Sequence, residues 1–390
     1  MPPLLQEAKD TLGALVTRAR RRLPAHLQAA YFGRPRGYVS LANHSRTANC
    51  SVEWVRRGGV SCGAPPTTVE EALHWKFETP YYRERHHTPI WVARLNNAFV
   101  RGGRYVLTPD YYLIEDVTNA HAVHPGLPRG LATRRPFMTR ETHHAVVPLG
   151  THWCTNHFHW FMDVLPRVGI LSECGILPDP ALRYAIPASV SATHREALRY
   201  LGIPEEQLLR MGPSERLQVE HLILPSLPER RGNPPAWACR FLRERLLPFA
   251  SHIPRGPQRI YVERLGKRRV LNQSAVDAVL SAHGLTKVHP EDYTLMQQIA
   301  LFRDADLIVG PHGAGMATTV FASPGAQVVE IFSPNYVNVC NAAIASRLNL
   351  QYAYVLGKGK RPPAGVDPFR VFDDITADVR ELDQLLSACN

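Results

Sequence analysis

The sequence predicts an α/β fold, and three observations carry that prediction. Apolar runs of strand length alternate with amphipathic stretches of helix length through the second half of the chain. A glycine-rich turn, Gly310 to Gly315, joins one of those runs to the start of a helix. The chain has 390 residues, more than one core ordinarily holds, so two domains are expected.

The elements follow in order. Residues 4–30 read as a helix with a basic run, Arg18 to Arg22, and with Leu5, Ala8, Leu12 and Leu15 at helical spacing. That is a surface helix with a solvated charged side, or a peripheral membrane contact. Residues 34–150 look rich in strands and loops; 91–95, 104–108 and 145–150 are apolar runs bounded by Gly, Pro, Asn and Asp. A helix is expected from about 156 to 169. Strand-like 182–186 and 219–224 alternate with helical 191–201 and 237–247, where Ser191 is a cap and Gly202 a stop. Residues 248–258 break the pattern with Pro and Gly, which places a domain boundary there. Strands are then expected at 259–263, 286–288, 306–310, 326–332 and 352–356. Helices are expected at 273–283, 295–304, 315–321 and 338–348. The predicted division is 1–250, then 255–365, with 366–390 holding a final helix that packs back on the first domain.

Composition narrows the function classes. Hydrophobic residues make up 45% and charged residues 20%, as in soluble globular proteins. The net charge is +11, and 39 of the 45 basic residues are Arg. Arginine suits forked recognition of phosphate, although GC-rich coding produces the same bias. No zinc-finger, RNP or basic-zipper pattern is present, so no nucleic-acid partner is expected. The seven cysteines are scattered without a CxxC pair, which fits a reducing compartment and no zinc site. No run of 18 apolar residues and no signal-peptide core are read.

Four segments carry chemistry. In Ile308 to Met316, small residues let backbone approach a ligand, and the helix start favours a phosphate; a tight structural turn reads equally well. His312 within it is placed to bond a phosphate or a leaving oxygen. Arg264, Lys267, Arg268 and Arg269 follow directly on a strand, as a diphosphate would require or as a solvated basic loop would show. In Thr155 to Arg167, His159 and Asp163 are four apart and share a helix face, as a general-base pair or as a buried hydrogen bond. Glu330, near the end of a strand, is placed to accept from ribose hydroxyls or to pair with an arginine. Asp304-Ala305-Asp306 imitates a metal-binding DxD but sits at a helix-to-strand junction, and it is rejected as a metal site.

These segments together resemble glycosyltransferase family 61, the DUF563 type. The likeness rests on Asn156-His157-Phe158-His159-Trp160-Phe161-Met162-Asp163-Val164-Leu165-Pro166-Arg167, on Gln298 to Met316, and on Phe321 to Ile331 after it. It covers about residues 140–335, while residues 1–130 carry no matching motif. One departure is Gln297, where the family usually has Glu.

The resemblance implies a GT-B fold, with two Rossmann-like domains facing across a cleft. It implies an inverting, metal-independent transfer from a nucleotide-diphosphate sugar, with a UDP-sugar favoured as co-substrate and no other cofactor. Asp163 is then the base, oriented by His159, with the reverse assignment also open. His312, Arg264 and Lys267 would stabilise the leaving diphosphate. Arg268, Asn272, Pro311, Gly313, Ala314, Gly315 and Glu330 complete the donor side. Asn156, His157, Trp160 and Arg167 stand on the acceptor side. The acceptor implied is a saccharide or lipid-linked glycan in bacterial surface-polysaccharide assembly, made in the cytoplasm or at the inner face of the membrane. Two other readings remain: a nucleotide-sugar epimerase, and a non-catalytic nucleotide-sugar-binding protein. Both catalytic readings require Asp163, His159, His312 and Arg264 to converge on one cleft.

Overall fold

In the computed structural model the described residues are 35, 37–42, 50–118, 138–229 and 232–389. The expected basic helix of residues 4–30 lies outside them.

Short connections set the first sheet. β5 (Ile90–Arg101), β6 (Tyr105–Leu107) and β7 (Tyr112–Ile114) are joined by three and four residues, too few for a crossover, so they pair antiparallel. β1 (Gly37–Val39) extends that edge, and β2 (Cys50–Arg56) pairs with the first half of β5. A separate hairpin, β3 (Val60–Cys62) and β4 (Glu84–His86), flanks the sheet; Arg85 and His87 tie it to buried Glu229. Beyond β5 the sheet turns parallel. β11 (Glu215–Pro225) runs antiparallel to β5 but parallel to β8 (Met138–Pro148), which is followed by β9 (Arg183–Pro187) and β10 (Leu208–Met211). The order is β1-β7-β6-β5-β11-β8-β9-β10, nine strands with β2 among the described residues.

The first half is therefore a mixed sheet and not a second all-parallel Rossmann sheet. Only β8, β9 and β10, linked through helices, follow the βαβ pattern. The first of those helices, α2, has three consecutive segments: His157–His159 (α), Trp160–Val164 (π) and Leu165–Glu173 (α). Asn156 caps it, its side chain accepting from the His159 N–H. The wide π turn precedes Pro166, which has no N–H to give to the turn before it; the widened turn keeps its ring clear of that carbonyl. α1 is the short Pro80–Arg83, and α3 (Ala192–Tyr200) is capped by Ser191 as expected.

The second sheet follows the sequence closely. β12 (Arg259–Val262), β13 (Thr286–Val288), β14 (Leu307–Pro311), β15 (Gln327–Phe332) and β16 (Gln351–Leu356) are all parallel, in the order β13-β12-β14-β15-β16. The strand order reverses at β12, so the crevice beyond the carboxyl ends of β12 and β14 is the switch point where such sheets bind ligands. α4 (Ala236–Ala250) precedes this sheet. α5 (Gln273–Ala282), α6 (Leu295–Asp304), a 3-10 helix (Ala314–Phe321) and α7 (Cys340–Arg347) connect its strands.

Alternate strand residues divide between two cores. Tyr261, Val309, Val329 and Val355 face one way, under α5 and the last helix, α8 (Val379–Ala388). Leu382, Leu385 and Leu386 of α8 lie in that core, so the final helix covers the second sheet, and Val69 of the first half packs against the same core. Asn272 secures the approach to it, donating to the Ala377 carbonyl and accepting from its N–H at 3.0 and 2.9 Å.

Ile260, Ile308, Val328 and Phe332 face the other way and merge with α2, α4 and β9 of the first half in one continuous core. Arginines reinforce this join: Arg243 donates to the Val320 and Ala322 carbonyls, and Arg303 to the Ala250 carbonyl. Thr67, far away in sequence, pairs with the outer edge of β16 through Tyr352 and Tyr354.

Two histidines sit at the same join. His157 Nε2 meets Thr318 Oγ1 at 3.0 Å, and its Nδ1 meets His194 Nε2 at 3.3 Å. Burial, with the neighbouring His194 adding to it, pushes His157 down to about 3; burial alone pushes His194 down to about 4. Both rings are neutral in the fold, while the unfolded chain releases them to their ordinary value of 6.5. Their stabilisation is complete above that value and is lost as pH falls from it towards about 4, at up to about 2.7 kcal/mol per pH unit for the pair. Urea midpoints should therefore fall steeply between about pH 6.5 and about pH 5, and His157→Asn should flatten that slope. Equal slopes for the two proteins would remove this pair as the cause.

Candidate active site

A cleft of about 680 Å³ opens at the switch point of the second sheet, within the usual size of a small-ligand site. His159 and Asn156 line it from α2. Arg264, Lys267 and Arg268 line it from the loop after β12, and His312, Gly313 and Ala314 from the turn after β14. The two motifs that are far apart in sequence therefore face each other across one space.

On the α2 wall, His159 Nδ1 meets Asp163 Oδ2 at 2.7 Å. The His159 side chain is 25% exposed and the Asp163 side chain 2%. Asp163 lies behind the imidazole and does not line the cleft, which corrects its assignment as the group that meets an acceptor. The π turn carries Asp163 inward because Trp160, Phe161, Met162 and Val164 around it are all core residues. Beneath it, Arg167 is fully buried and donates to the Pro225 and Leu149 carbonyls, tying α2 to the ends of β11 and β8. Burial pushes the guanidinium down to about 9, opposed by the Asp163 carboxylate. Arg167, His157 and Trp160 therefore leave the acceptor side: the first two are held by the contacts above, and Trp160 is buried and stacked on His194.

The opposite wall repeats the pairing. His312 Nδ1 meets Glu330 Oε1 at 2.6 Å. Glu330 is fully buried and also accepts from Asn341 Nδ2, at 2.6 Å, and from the Tyr352 hydroxyl. Two donors besides the imidazole keep this carboxylate an acceptor, so Nδ1–H of His312 points to it and Nε2 is left to the cleft side. Glu330 cannot meet a ribose from there; a strand-end position in a core encloses it. Phe332 stacks on the His312 ring, with centroids 5.0 Å apart.

The basic loop divides its labour. Arg264 rests on Gly313: a Cβ there would stand 2.1 Å from Arg264 Nη1, so any side chain at 313 would displace the guanidinium from this place. Arg264 Nε also donates to the Lys267 carbonyl. Burial, then the neighbouring Arg268, pushes Arg264 down to about 10, which leaves it charged at neutral pH. Arg268 clamps the loop, donating to the His312 carbonyl at 3.0 Å and the Val371 carbonyl at 2.7 Å. Lys267 Nζ lies 3.7 Å over the Phe372 ring. Asn272, Pro311 and Gly315 do not line the cleft; Asn272 is engaged with Ala377, and Pro311 is buried at the end of β14. The segment after the glycine turn is a 3-10 helix, not an α-helix.

The described residues show no group of three or more His, Cys, Asp or Glu side chains placed to hold a metal ion. Asp304 is engaged with Arg303 and the Gly256 N–H, as its junction position suggested. Gln297 closes a capping box with Thr294, so the family's Glu at this place would serve the same helix start. Trp75, Tyr81, Trp153, Tyr336, Phe369 and Phe372 also line the cleft and were not singled out from sequence. Their loops reach it only through folding; Lys76, for one, bonds the Val337 carbonyl at 2.7 Å and pairs with Asp367. No helix among the described residues is long and apolar enough to cross a membrane.

Comparison with known proteins finds likeness in the segment that holds these residues. The family model described as Glycosyltransferase 61 matches residues 157–329. Protein O-linked-mannose beta-1,4-N-acetylglucosaminyltransferase 2 from Homo sapiens is 31% identical over 130 residues, covering 31% of this chain and 22% of the relative. The protein of that name from Mus musculus is 34% identical over 111 residues, 27% of this chain and 19% of the relative. The match thus spans about a fifth of the length of these curated relatives. The segment 157–329, which supplies His159, Arg264 and His312 to the cleft, is the part of the chain that matches glycosyltransferase family 61.

Proposed function

We propose that this chain is an inverting glycosyltransferase that uses a nucleotide-diphosphate sugar, a UDP-sugar favoured. The observation that carries the proposal is the single cleft between a carboxylate-backed imidazole and a cluster of cations. The donor diphosphate lies against Arg264, Lys267 and the Gly313–Ala314 backbone. His159 Nε2 takes the proton from the acceptor hydroxyl as that oxygen bonds the anomeric carbon. The bond from that carbon to the diphosphate breaks with its electron pair. Asp163 holds Nδ1–H of His159 and balances the imidazolium that forms. Arg264, Lys267 and the N–H groups of the Gly313–Ala314 backbone stabilise the departing oxygens, the office a divalent metal fills elsewhere.

In this reading the donor-side sheet and the α2 wall act as the two halves of a GT-B enzyme, divided near residues 250–258. The acceptor is a saccharide or a lipid-linked glycan. Assignment to bacterial surface-polysaccharide assembly on the cytoplasmic side rests on the family resemblance and on cysteines that are all free.

The test is a thermal-shift screen across UDP- and GDP-sugars with EDTA present. One donor should raise the melting temperature by mass action. No shift with any donor would overturn the proposal. Conversion of the donor to its epimer, with no acceptor, would establish the epimerase reading in its place.

A further inference from the structure

The cleft is lined by aromatic rings as well as cations, and none of the described residues lining it is Asp or Glu. The rings of Trp153 and Phe158 stand beside His159, and Trp75 lines the same cleft from a segment packed on the second sheet. We infer that Trp153 and Trp75 form the acceptor platform, stacking on a pyranose face and delivering its hydroxyl to His159. This inference rests on the glycosyltransferase reading above.

Trp153 is held in a fixed attitude. The His152 ring meets it edge-on, centroids 4.5 Å apart at 89°, and His152 Nδ1 is itself bonded to the Tyr105 hydroxyl at 2.6 Å. Its plane lies within 27° of the His159 ring, centroids 6.4 Å apart. A sugar ring lying on the indole is therefore within reach of the imidazole. Trp75 is fixed too, because its neighbours are anchored across the fold: Lys76 to Val337 and Asp367, and Phe77 stacked on Tyr354 at 4.9 Å. A pyranose offers one face of C–H bonds, which the negative face of an indole attracts, and a rim of hydroxyls that remain free to react.

A cleft lining that carries two indoles and no carboxylate recognises such a face by shape and stacking. The platform also lies outside the matched family segment, since positions 75 and 153 precede 157. Acceptor choice is thus set by parts of the chain that the family match does not cover, whereas the catalytic and donor groups come from within it.

The experiment is saturation-transfer NMR on the full chain saturated with UDP. The probes are methyl pyranosides of glucose, mannose, galactose, xylose and N-acetylglucosamine. At least one should receive saturation chiefly at the C–H protons of one face. Trp153→Ala and Trp75→Ala should each weaken its binding about tenfold or more, while Trp153→Phe keeps part of it. The thermal shift given by UDP should stay unchanged in all three. If no pyranoside binds although UDP does, or if the variants bind as the parent does, the inference fails and the transferase reading stands. A loss of UDP binding in Trp153→Ala would assign the ring to the nucleotide and overturn the inference too. Absence of UDP binding in the parent chain would instead strike the reading beneath it.

Discussion

His159→Ala is expected to reduce transfer by about a thousandfold or more while leaving the donor-induced thermal shift intact. The reason is position. His159 is the only member of its dyad that lines the cleft, and nothing else on the α2 wall among the described residues has an imidazole there. Asp163→Asn should cost about a hundredfold to ten-thousandfold, by holding the wrong tautomer and leaving the imidazolium without its counter-charge. The two losses have different remedies. Free imidazole can reach the space vacated by a side chain that is 25% exposed, and it should restore part of the His159→Ala activity. Formate should not restore Asp163→Ala, because the Asp163 side chain is only 2% exposed and lies behind the His159 ring. Rescue by formate but not by imidazole would return the base role to Asp163.

Arg264→Ala should weaken donor binding by about ten- to a hundredfold, the value of a charge-assisted hydrogen bond to phosphate in a partly buried place. Gly313→Ala should act on the same group from the other side, since its methyl would stand 2.1 Å from Arg264 Nη1 and push a mobile guanidinium away. The diagnostic quantity is the preference for UDP over UMP, read by calorimetry. The parent chain should prefer UDP strongly, and both variants should lose most of that preference. A preference that survives in Arg264→Ala would remove this arginine from the diphosphate. Arg268 is the control. Its guanidinium is already given to the His312 and Val371 carbonyls, so its replacement should loosen the loop and lower stability before it alters discrimination.

The contrast between Arg264 and Arg268 shows where sequence reading reaches its limit. Both follow β12 in one basic run and are equivalent as letters. Only folding gives one a glycine to lie on and the other two carbonyls to bind. The same holds for the four carboxylate and imidazole positions. The spacing of His159 and Asp163 is a local, helical relation, and it was legible. Which of the two meets solvent was not, because that depends on the core packed around the π turn. His312 and Glu330 are 18 residues apart on neighbouring strand ends, so their bond exists only through the pairing of β14 with β15.

The sequence by itself determined the second sheet, the Ser191 and Asn156 helix starts, the glycine turn and the family likeness of residues 157–329. Each of these is written in near-neighbour patterns: strand runs bounded by turns, caps, and motif spacings. Tertiary structure alone decided that the first sheet is mixed, that α8 covers the second sheet, and that Trp75, Trp153 and Phe372 line the cleft. Those outcomes rest on contacts between distant parts of the chain, such as Thr67 against Tyr352 or Lys76 against Val337. Their energy comes from burying surfaces that become neighbours only once the chain has folded, and no local pattern of residues records it.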